Sequence, residues 1–296
     1  MKILYIGVHS HDGWGAEYWL TQAFSDLQIG LETIDYRKEL KIKSDLELNK
    51  IIHQKCGDCD LIFLQRGDKL SPNIFYNITI PIIFWSTEPL QLKKDVDTLL
   101  QSDIFTWIFV HSYSCMDKIQ SEFAHLNDKS SVMHNAAPRE LISFNNEQNI
   151  FAIFNRNLSL RRRTWLWPSR KMVTRINSRY GEDYFNDLKA SQIAVNIHYS
   201  RKNLDDFESG IFEAMASGCA VISERLNHQT IIDLEMAGTI IQVDSPRELK
   251  EKLELLNSNQ EILGSYLEKS KLAIQKNTWH DRAKKMYKKF QEACNE

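Results

Sequence analysis

Short apolar runs alternate with amphipathic segments along the first half of the chain. A continuous apolar run over Lys2–Val8 predicts a buried strand, and the spacing of apolar positions from about Gly15 to Leu27 predicts a helix. Further buried strands are predicted at 60–65, 81–85 and 106–111. Because these runs are apolar throughout rather than alternating, they indicate a parallel sheet covered by helices on both faces.

The second half repeats this alternation after a polar stretch at 143–149. It predicts strands at Ile150–Phe154, 192–198, 219–223 and 238–243, with no distinct strand between Phe154 and Gln192. After Asp244 only helices are expected, beginning at the capping residue Ser245. The predicted fold class is therefore α/β, with two Rossmann-like domains facing a central cleft that holds the active site. The domains are expected at 1–147 and 148–276, with a C-terminal helix at 277–296 packing back on the first domain and bracing the two.

Charge and cysteine content narrow the class of protein. The 37 Lys and Arg against 39 Asp and Glu give a net charge of -2, which argues against a polycation that coats nucleic acid. Five scattered cysteines favour a reducing compartment over a disulfide framework. The first apolar run is too short for a signal peptide, and no stretch approaches the roughly 18 apolar residues of a spanning helix. We therefore expect a cytoplasmic protein.

The most informative window is 203–223, where a short acidic loop leads into a predicted helix over Ser209–Ser217. Gly218 is expected to end this helix in the left-handed conformation, before the next strand. The helix start would direct N–H groups and a positive dipole at an anion such as a diphosphate. Glu213 could accept hydrogen bonds from both hydroxyls of a ribose, or it could be a buried acid whose hydrogen bonds come from neighbouring backbone.

The segment Phe212–Val221, which reads FEAMASGCAV, resembles the signature of retaining glycosyltransferases of the GT-B fold. The similarity is greatest to the CgeB-like branch of the glycosyltransferase 4 type. The resemblance implies that a UDP- or GDP-linked sugar is transferred to an acceptor, as a hexosyltransferase does. Retention of configuration, no metal and no cofactor are implied as well. The donor would bind the C-terminal domain, and the acceptor side would be the N-terminal domain.

The resemblance also implies roles for individual residues. The donor-sugar acid would be Asp205, eight positions before Glu213, or Glu208, and His111 would contact the sugar. Glu88 and Trp165 are candidates for the acceptor side. The residues expected to bind the donor and its phosphates are Gly13, Gly15, Arg156, Arg161, Phe207, Ser209, Gly210 and Glu213.

A basic segment lies between Phe151 and Arg179, with eight Arg and Lys residues and no acid. This composition is typical of a phosphate site, although a solvated surface would also have it. Trp165 and Trp167 leave open a peripheral contact of 156–179 with a membrane or with nucleic acid.

Two acidic triplets, Asp58-Cys59-Asp60 and Asp95-Val96-Asp97, do not stand at the exit of a predicted strand, so no metal site is expected. The partners are therefore a nucleotide sugar and an unknown acceptor, which could be a glycan, a lipid-linked sugar, a protein or a nucleic acid. Two alternatives remain: a non-catalytic nucleotide-sugar-binding protein on the same scaffold, and a glycosyltransferase that modifies nucleic acid.

Overall fold

The structure is a computed structural model that describes residues 1–9, 14–144, 147–176, 179–200 and 207–295. The chain divides into two compact units. Unit 1 is Met1–His134 with Trp279–Glu296, and unit 2 is Asn135–Thr278. Unit 2 begins before the boundary predicted near 147 because the segment after His134 bonds to its backbone. The N–H of Ala137 donates to Asn277 O, and that of Ser143 donates to Ala216 O, both at 2.9 Å.

Unit 1 contains a six-stranded sheet in the order β2-β1-β3-β4-β5-β6, with every pair parallel. The central strands β3 and β4 are wholly buried, as their apolar runs predict. Strands β2 and β6 were not predicted, because each lies at an edge of the sheet and has no continuous apolar run. The elements of this part of the chain are β1 (Lys2–Gly7), α1 (Ala16–Asp26), β2 (Gly30–Asp35), α2 (Tyr36–Glu39), α3 (Asp45–Cys56), β3 (Leu61–Gln65), β4 (Ile82–Ser86), α4 (Asp97–Gln101), β5 (Trp107–Val110), α5 (Tyr113–Glu122) and β6 (Ser130–Val132).

Unit 2 contains a five-stranded parallel sheet in the order β11-β10-β9-β7-β8. The prediction of no distinct strand between Phe154 and Gln192 was wrong, because β8 pairs with β7 there. Only the first of its three residues, Val173, is buried, so the strand gives no apolar run. The elements are β7 (Ile150–Phe154), α6 (Leu160–Leu166), β8 (Val173–Arg175), α7 (Gly181–Lys189), β9 (Ser191–Asn196), α8 (Ser209–Ala216), β10 (Ala220–Glu224), α9 (His228–Asp233) and β11 (Ile240–Val243).

The chain after β11 is helical, as predicted, with α10 (Pro246–Ser258), α11 (Gln260–Ile274) and α12 (Trp279–Asn295). The Ser245 hydroxyl caps α10 by accepting from the Glu248 N–H at 3.1 Å. Helix α12 belongs to unit 1, where its Phe290 ring lies 5.8 Å from Phe24 and 5.5 Å from Phe63. Among the helices that the structure describes, none is long and apolar enough to cross a membrane.

Candidate functional site

Charged residues gather at the carboxyl edge of the unit 2 sheet. Arg156 follows β7, His198 follows β9, and Glu224 ends β10. Helix α8 begins at the same edge, with Glu208 as its N-cap residue. In a parallel α/β sheet this edge is where ligands usually bind, because loops leave the strands there and helices present their N-terminal N–H groups.

Arg156 lies at the centre of this cluster, with a side chain only 21% exposed. Its Nη1 is 3.5 Å from Glu208 Oε2, and its Nη2 is 3.4 Å from the Tyr184 hydroxyl and 3.8 Å from Glu213 Oε2. Burial by itself would lower the pKa of Arg156, but Tyr184 and the two acids raise it above its ordinary value. The guanidinium therefore remains positively charged beside the start of α8.

Gly210 makes this position of Arg156 possible. A Cβ atom added to Gly210 would lie 0.7 Å from Arg156 Nη2. The guanidinium thus occupies the space that any other residue would fill with its side chain, against the first turn of α8. A fixed cation and the positive end of the α8 dipole together form an environment suited to an anion.

Glu208 and His198 form a part-buried contact next to Arg156. Glu208 Oε1 is 3.3 Å from His198 Nδ1, and His198 Nε2 is 3.1 Å from Arg225 O. Both ring nitrogens therefore face acceptors, an arrangement that favours the protonated ring. Burial lowers the pKa of His198, but the Glu208 hydrogen bond and charge raise it above its ordinary value. Burial raises the pKa of Glu208, but His198, Arg156 and Arg162 together lower it.

Arg161 contacts Glu224 rather than Glu208. Its Nη1 donates to Glu224 Oε2 at 2.7 Å, and its Nη2 donates to Glu224 Oε1. The same Nη1 also donates to His198 O at 2.6 Å. The neighbouring Arg162 points its Nη2 at Glu208 Oε2, at 3.6 Å. Arg161, predicted to bind phosphate, therefore already has both terminal nitrogens on a carboxylate, whereas Arg156 and Arg162 share Glu208.

Tyr184 is a site residue that the sequence did not reveal. Its hydroxyl donates to Glu213 Oε2 at 2.8 Å and so fixes one oxygen of that carboxylate. Burial raises the pKa of Tyr184, and Glu213 raises it further, so the hydroxyl keeps its proton. A tyrosine in an amphipathic helix is ordinarily part of a core, and nothing in its spacing indicated a contact with the FEAMASGCAV segment.

The other unit 2 residues that were predicted take several positions. Phe207 is buried with its ring 4.7 Å from that of Phe212, and Ser209 is the first residue of α8. Trp165 is partly buried against the unit 2 core, with the Arg161 guanidinium 5.6 Å from its ring. Asp205 lies outside the described residues, and so does Gly13 of unit 1.

Unit 1 has its own charged group at the carboxyl edge of its sheet. Arg66, directly after β3, has Nη2 2.5 Å from Glu88 Oε1 and Nε 3.4 Å from Glu17 Oε1. Gly15, with a φ of 109°, precedes α1 and leads to Glu17 in the first turn of that helix. Burial raises the pKa of Glu17, and Arg66 partly offsets this effect. His111, after β5, is buried with Nδ1 3.7 Å from Cys115 Sγ.

Within the ranges that the structure describes, no group of three or more His, Cys, Asp or Glu side chains is placed to hold a metal ion.

Comparisons with known proteins give a family match and similar folds. Residues 136–288 match a family model described as "Glycosyl transferase-like". The crystal structure of Anabaena HepE in complex with UDP-glucose is similar, with a TM-score of 0.68 and 13% identity over 99% of this chain and 100% of that one. A Rickettsia africae glycosyltransferase has a TM-score of 0.67 and 11% identity, over 99% of this chain and 98% of that one.

The N-terminal domain of Candida albicans trehalose-6-phosphate phosphatase is also similar. Its TM-score is 0.66 and its identity 11%, over 99% of this chain and 97% of that one. Identities this low show the fold alone. No curated protein sequence matches the chain.

Proposed function

The chain belongs to the glycosyl transferase-like family and has the two parallel-sheet units of the GT-B fold, and on this premise we propose that it transfers a sugar from a nucleotide-diphosphate donor. The donor binds the cluster around Arg156 in unit 2. A UDP-linked sugar is supported by the UDP-glucose bound to the similar protein HepE. The acceptor side is unit 1, where Glu88 and His111 lie at the carboxyl edge of the sheet.

The position of the Arg156 guanidinium is the observation that carries this proposal. It lies against the first turn of α8, in the space that a side chain at residue 210 would fill, and it stays positively charged between Glu208 and Glu213. Arg162 points a second guanidinium at the same Glu208 carboxylate. When the bond between sugar and diphosphate breaks, negative charge develops on the diphosphate, and a fixed cation with helix N–H groups stabilises it.

Glu213 binds the ribose in this proposal. Tyr184 donates a hydrogen bond to one of its carboxylate oxygens. The side chain remains 26% exposed and can accept hydrogen bonds from ligand hydroxyls. The place of Glu213 in the FEAMASGCAV segment supports this role. Transfer with retention and without a divalent metal is proposed on the same resemblance, with Arg156 and Arg162 neutralising the diphosphate.

Glu208 has a positioning role in this proposal. The side chains of Arg156, Arg162 and His198 all approach its carboxylate, so it orients the two arginines instead of contacting the sugar. With Glu208 in this role, Asp205 is the proposed donor-sugar acid. The engagement of Glu208 also favours a second candidate function, a nucleotide-sugar-binding protein without catalysis. Release of UDP from UDP-glucose in the absence of acceptor distinguishes a transferase from a binding protein. A transferase slowly hydrolyses its donor, whereas a binding protein does not.

Calorimetry with UDP and with pyrophosphate tests the donor site. Arg156→Ala should weaken binding of both by more than tenfold, because the diphosphate loses its cation. Glu213→Gln should weaken UDP binding by about ten- to a hundredfold, because a charged hydrogen bond to the ribose is lost. It should not weaken pyrophosphate binding, because it removes a negative charge 3.8 Å from Arg156. The matched control is Arg163→Ala, an exposed residue of the same basic segment, for which both affinities should equal those of the wild type.

Unchanged UDP affinity in a folded Arg156→Ala protein would contradict the proposed phosphate site. Equal losses for UDP and pyrophosphate in Glu213→Gln would contradict the ribose role.

A further inference from the structure

Helix α6 divides the basic segment between two faces. On its inner face Arg162 is 4% exposed and Leu166 is fully buried. On its outer face Leu160 is 82% exposed, and Trp167, which ends the helix, is 62% exposed. Apolar side chains at both ends of the outer face are unusual for a helix that already buries its other face, because such side chains normally pack in a core.

We propose that this outer face docks on an anionic membrane. The docking face consists of exposed residues of α6 and of the turn after it, which are Leu160, Arg163, Thr164, Trp167, Arg170 and Lys171.

The apolar part of the docking face is arranged for shallow insertion into lipid. Leu160 and Trp167 are seven residues apart, so they project from the same side of the helix two turns from each other. An indole ring is favoured at the depth of lipid headgroups, where one edge is apolar and the other can donate a hydrogen bond.

The charged part of the docking face is wholly basic. Arg163, Arg170 and Lys171 are exposed, and no acidic residue occurs between Phe151 and Gly181 in the sequence. The Arg170 guanidinium lies 4.4 Å from the centre of the Trp167 ring, so a positive charge stands next to the inserting side chain. Such charges are attracted to anionic lipid, each contributing about a fivefold gain in affinity close to the surface.

A membrane fits this face better than a nucleic acid does. Nucleic acids are bound by stacking bases on aromatic rings, and Arg170 already covers one side of the Trp167 ring. Leu160, the more exposed of the two apolar residues of the face, offers nothing to a base or a phosphate but gains free energy in an acyl layer.

Docking would also hold the donor cluster at the membrane. The inner side of α6 carries Arg161 and Arg162, which contact Glu224 and Glu208. If the proposed glycosyl transfer is correct, the acceptor is then a molecule carried by the membrane, such as a lipid-linked one. The docking itself rests only on the geometry of α6.

Vesicle sedimentation with the full chain tests the proposal. The probes are vesicles of phosphatidylcholine alone and vesicles of equal parts phosphatidylcholine and phosphatidylglycerol. The protein should sediment only with the anionic vesicles and should be released in about 1 M salt. The double variants Leu160→Ser with Trp167→Ser, and Arg170→Glu with Lys171→Glu, should each reduce the partition coefficient by at least tenfold.

The matched control is Leu272→Ser with Lys271→Glu on α11, another exposed leucine of unit 2 with a neighbouring lysine, and it should sediment as the wild type does. UDP affinity should be unchanged in all of these variants, so a failure of docking is distinguishable from a failure of the donor site.

Three results would overturn the docking proposal. They are equal binding to both kinds of vesicle, normal sedimentation of the two α6 variants, and salt-sensitive binding of a DNA duplex that the α6 variants lose while vesicles bind none of the proteins.

Discussion

His198 is fully buried in unit 2, and the raised pKa of its ring ties stability to pH. Its ring binds Glu208 on one side and the Arg225 carbonyl on the other. Its pKa is raised above the ordinary 6.5, so its stabilising contribution is complete below pH 6.5 and is lost as the pH rises through the folded-state value. The pKa of Glu208 is lowered below 4.5, so its contribution is lost only in acid.

The free energy of unfolding should therefore fall as the pH rises above about 6.5. His198→Gln should remove this slope, because glutamine keeps hydrogen bonds but does not titrate. Urea unfolding across a pH series measures it, with His53→Gln, an exposed histidine of unit 1, as the control that keeps the slope. A slope that persists in His198→Gln would place the titrating group elsewhere.

Single residues were the least predictable level of this molecule. The sequence marked Arg156 and Arg161 equally, yet one lies beside the start of α8 and the other is paired with Glu224. To distinguish them one must know which side of α6 faces the sheet. That helix is too short and too basic for its apolar positions to show this. Tyr184 was missed for a related reason, since its contact with Glu213 joins two helices distant in sequence.

At the scale of elements, α8 approaches the end of β7 so closely that an arginine fills the place of a side chain. Gly210→Ala would set a methyl group on Arg156 Nη2 and displace the guanidinium. UDP affinity should then fall by more than tenfold, as for Arg156→Ala. The control is Gly264→Ala in the interior of α11, where nothing lies within 4 Å of the added Cβ.

Gly264→Ala should leave UDP binding unchanged and raise the free energy of unfolding by about 0.5–1 kcal/mol, because alanine loses less backbone entropy than glycine in a helix. Normal UDP affinity in Gly210→Ala would show that Arg156 binds nothing at its present position.

Most central elements could be predicted because burial on both faces leaves a clear apolar run. Helix α8 could be predicted because a glycine stands between its helical pattern and the next strand. Gly218 has the left-handed conformation expected there, with a φ of 88°. The strands that escaped prediction, β2, β6 and β8, lie at sheet edges, where exposed positions interrupt the apolar pattern.

At the scale of the whole molecule, the chain leaves unit 1 after His134, builds unit 2 and returns with α12. Phe290 of that helix is fully buried beside Phe24 and Phe63. Phe290→Ala should lower the stability of unit 1 by roughly 3–5 kcal/mol through lost burial and a cavity. Hydrogen exchange should then quicken in β1 and β3 but not in β9 and β10, and exposed Gln291→Ala should change neither. Equal acceleration in both sheets would show that the units do not unfold separately.

The return of α12 to unit 1 also determines the order in which the two units are completed during synthesis. Every residue of unit 2 is contiguous in the chain, whereas the last helix of unit 1 is translated only after unit 2. The unit that starts first is thus finished last, and until then Phe24 and Phe63 lack the ring that covers them. Once unit 2 has emerged from the ribosome and before α12 has done so, unit 1 therefore exposes an apolar surface beside a unit that can already fold, and exposed apolar surface of this kind is prone to aggregation.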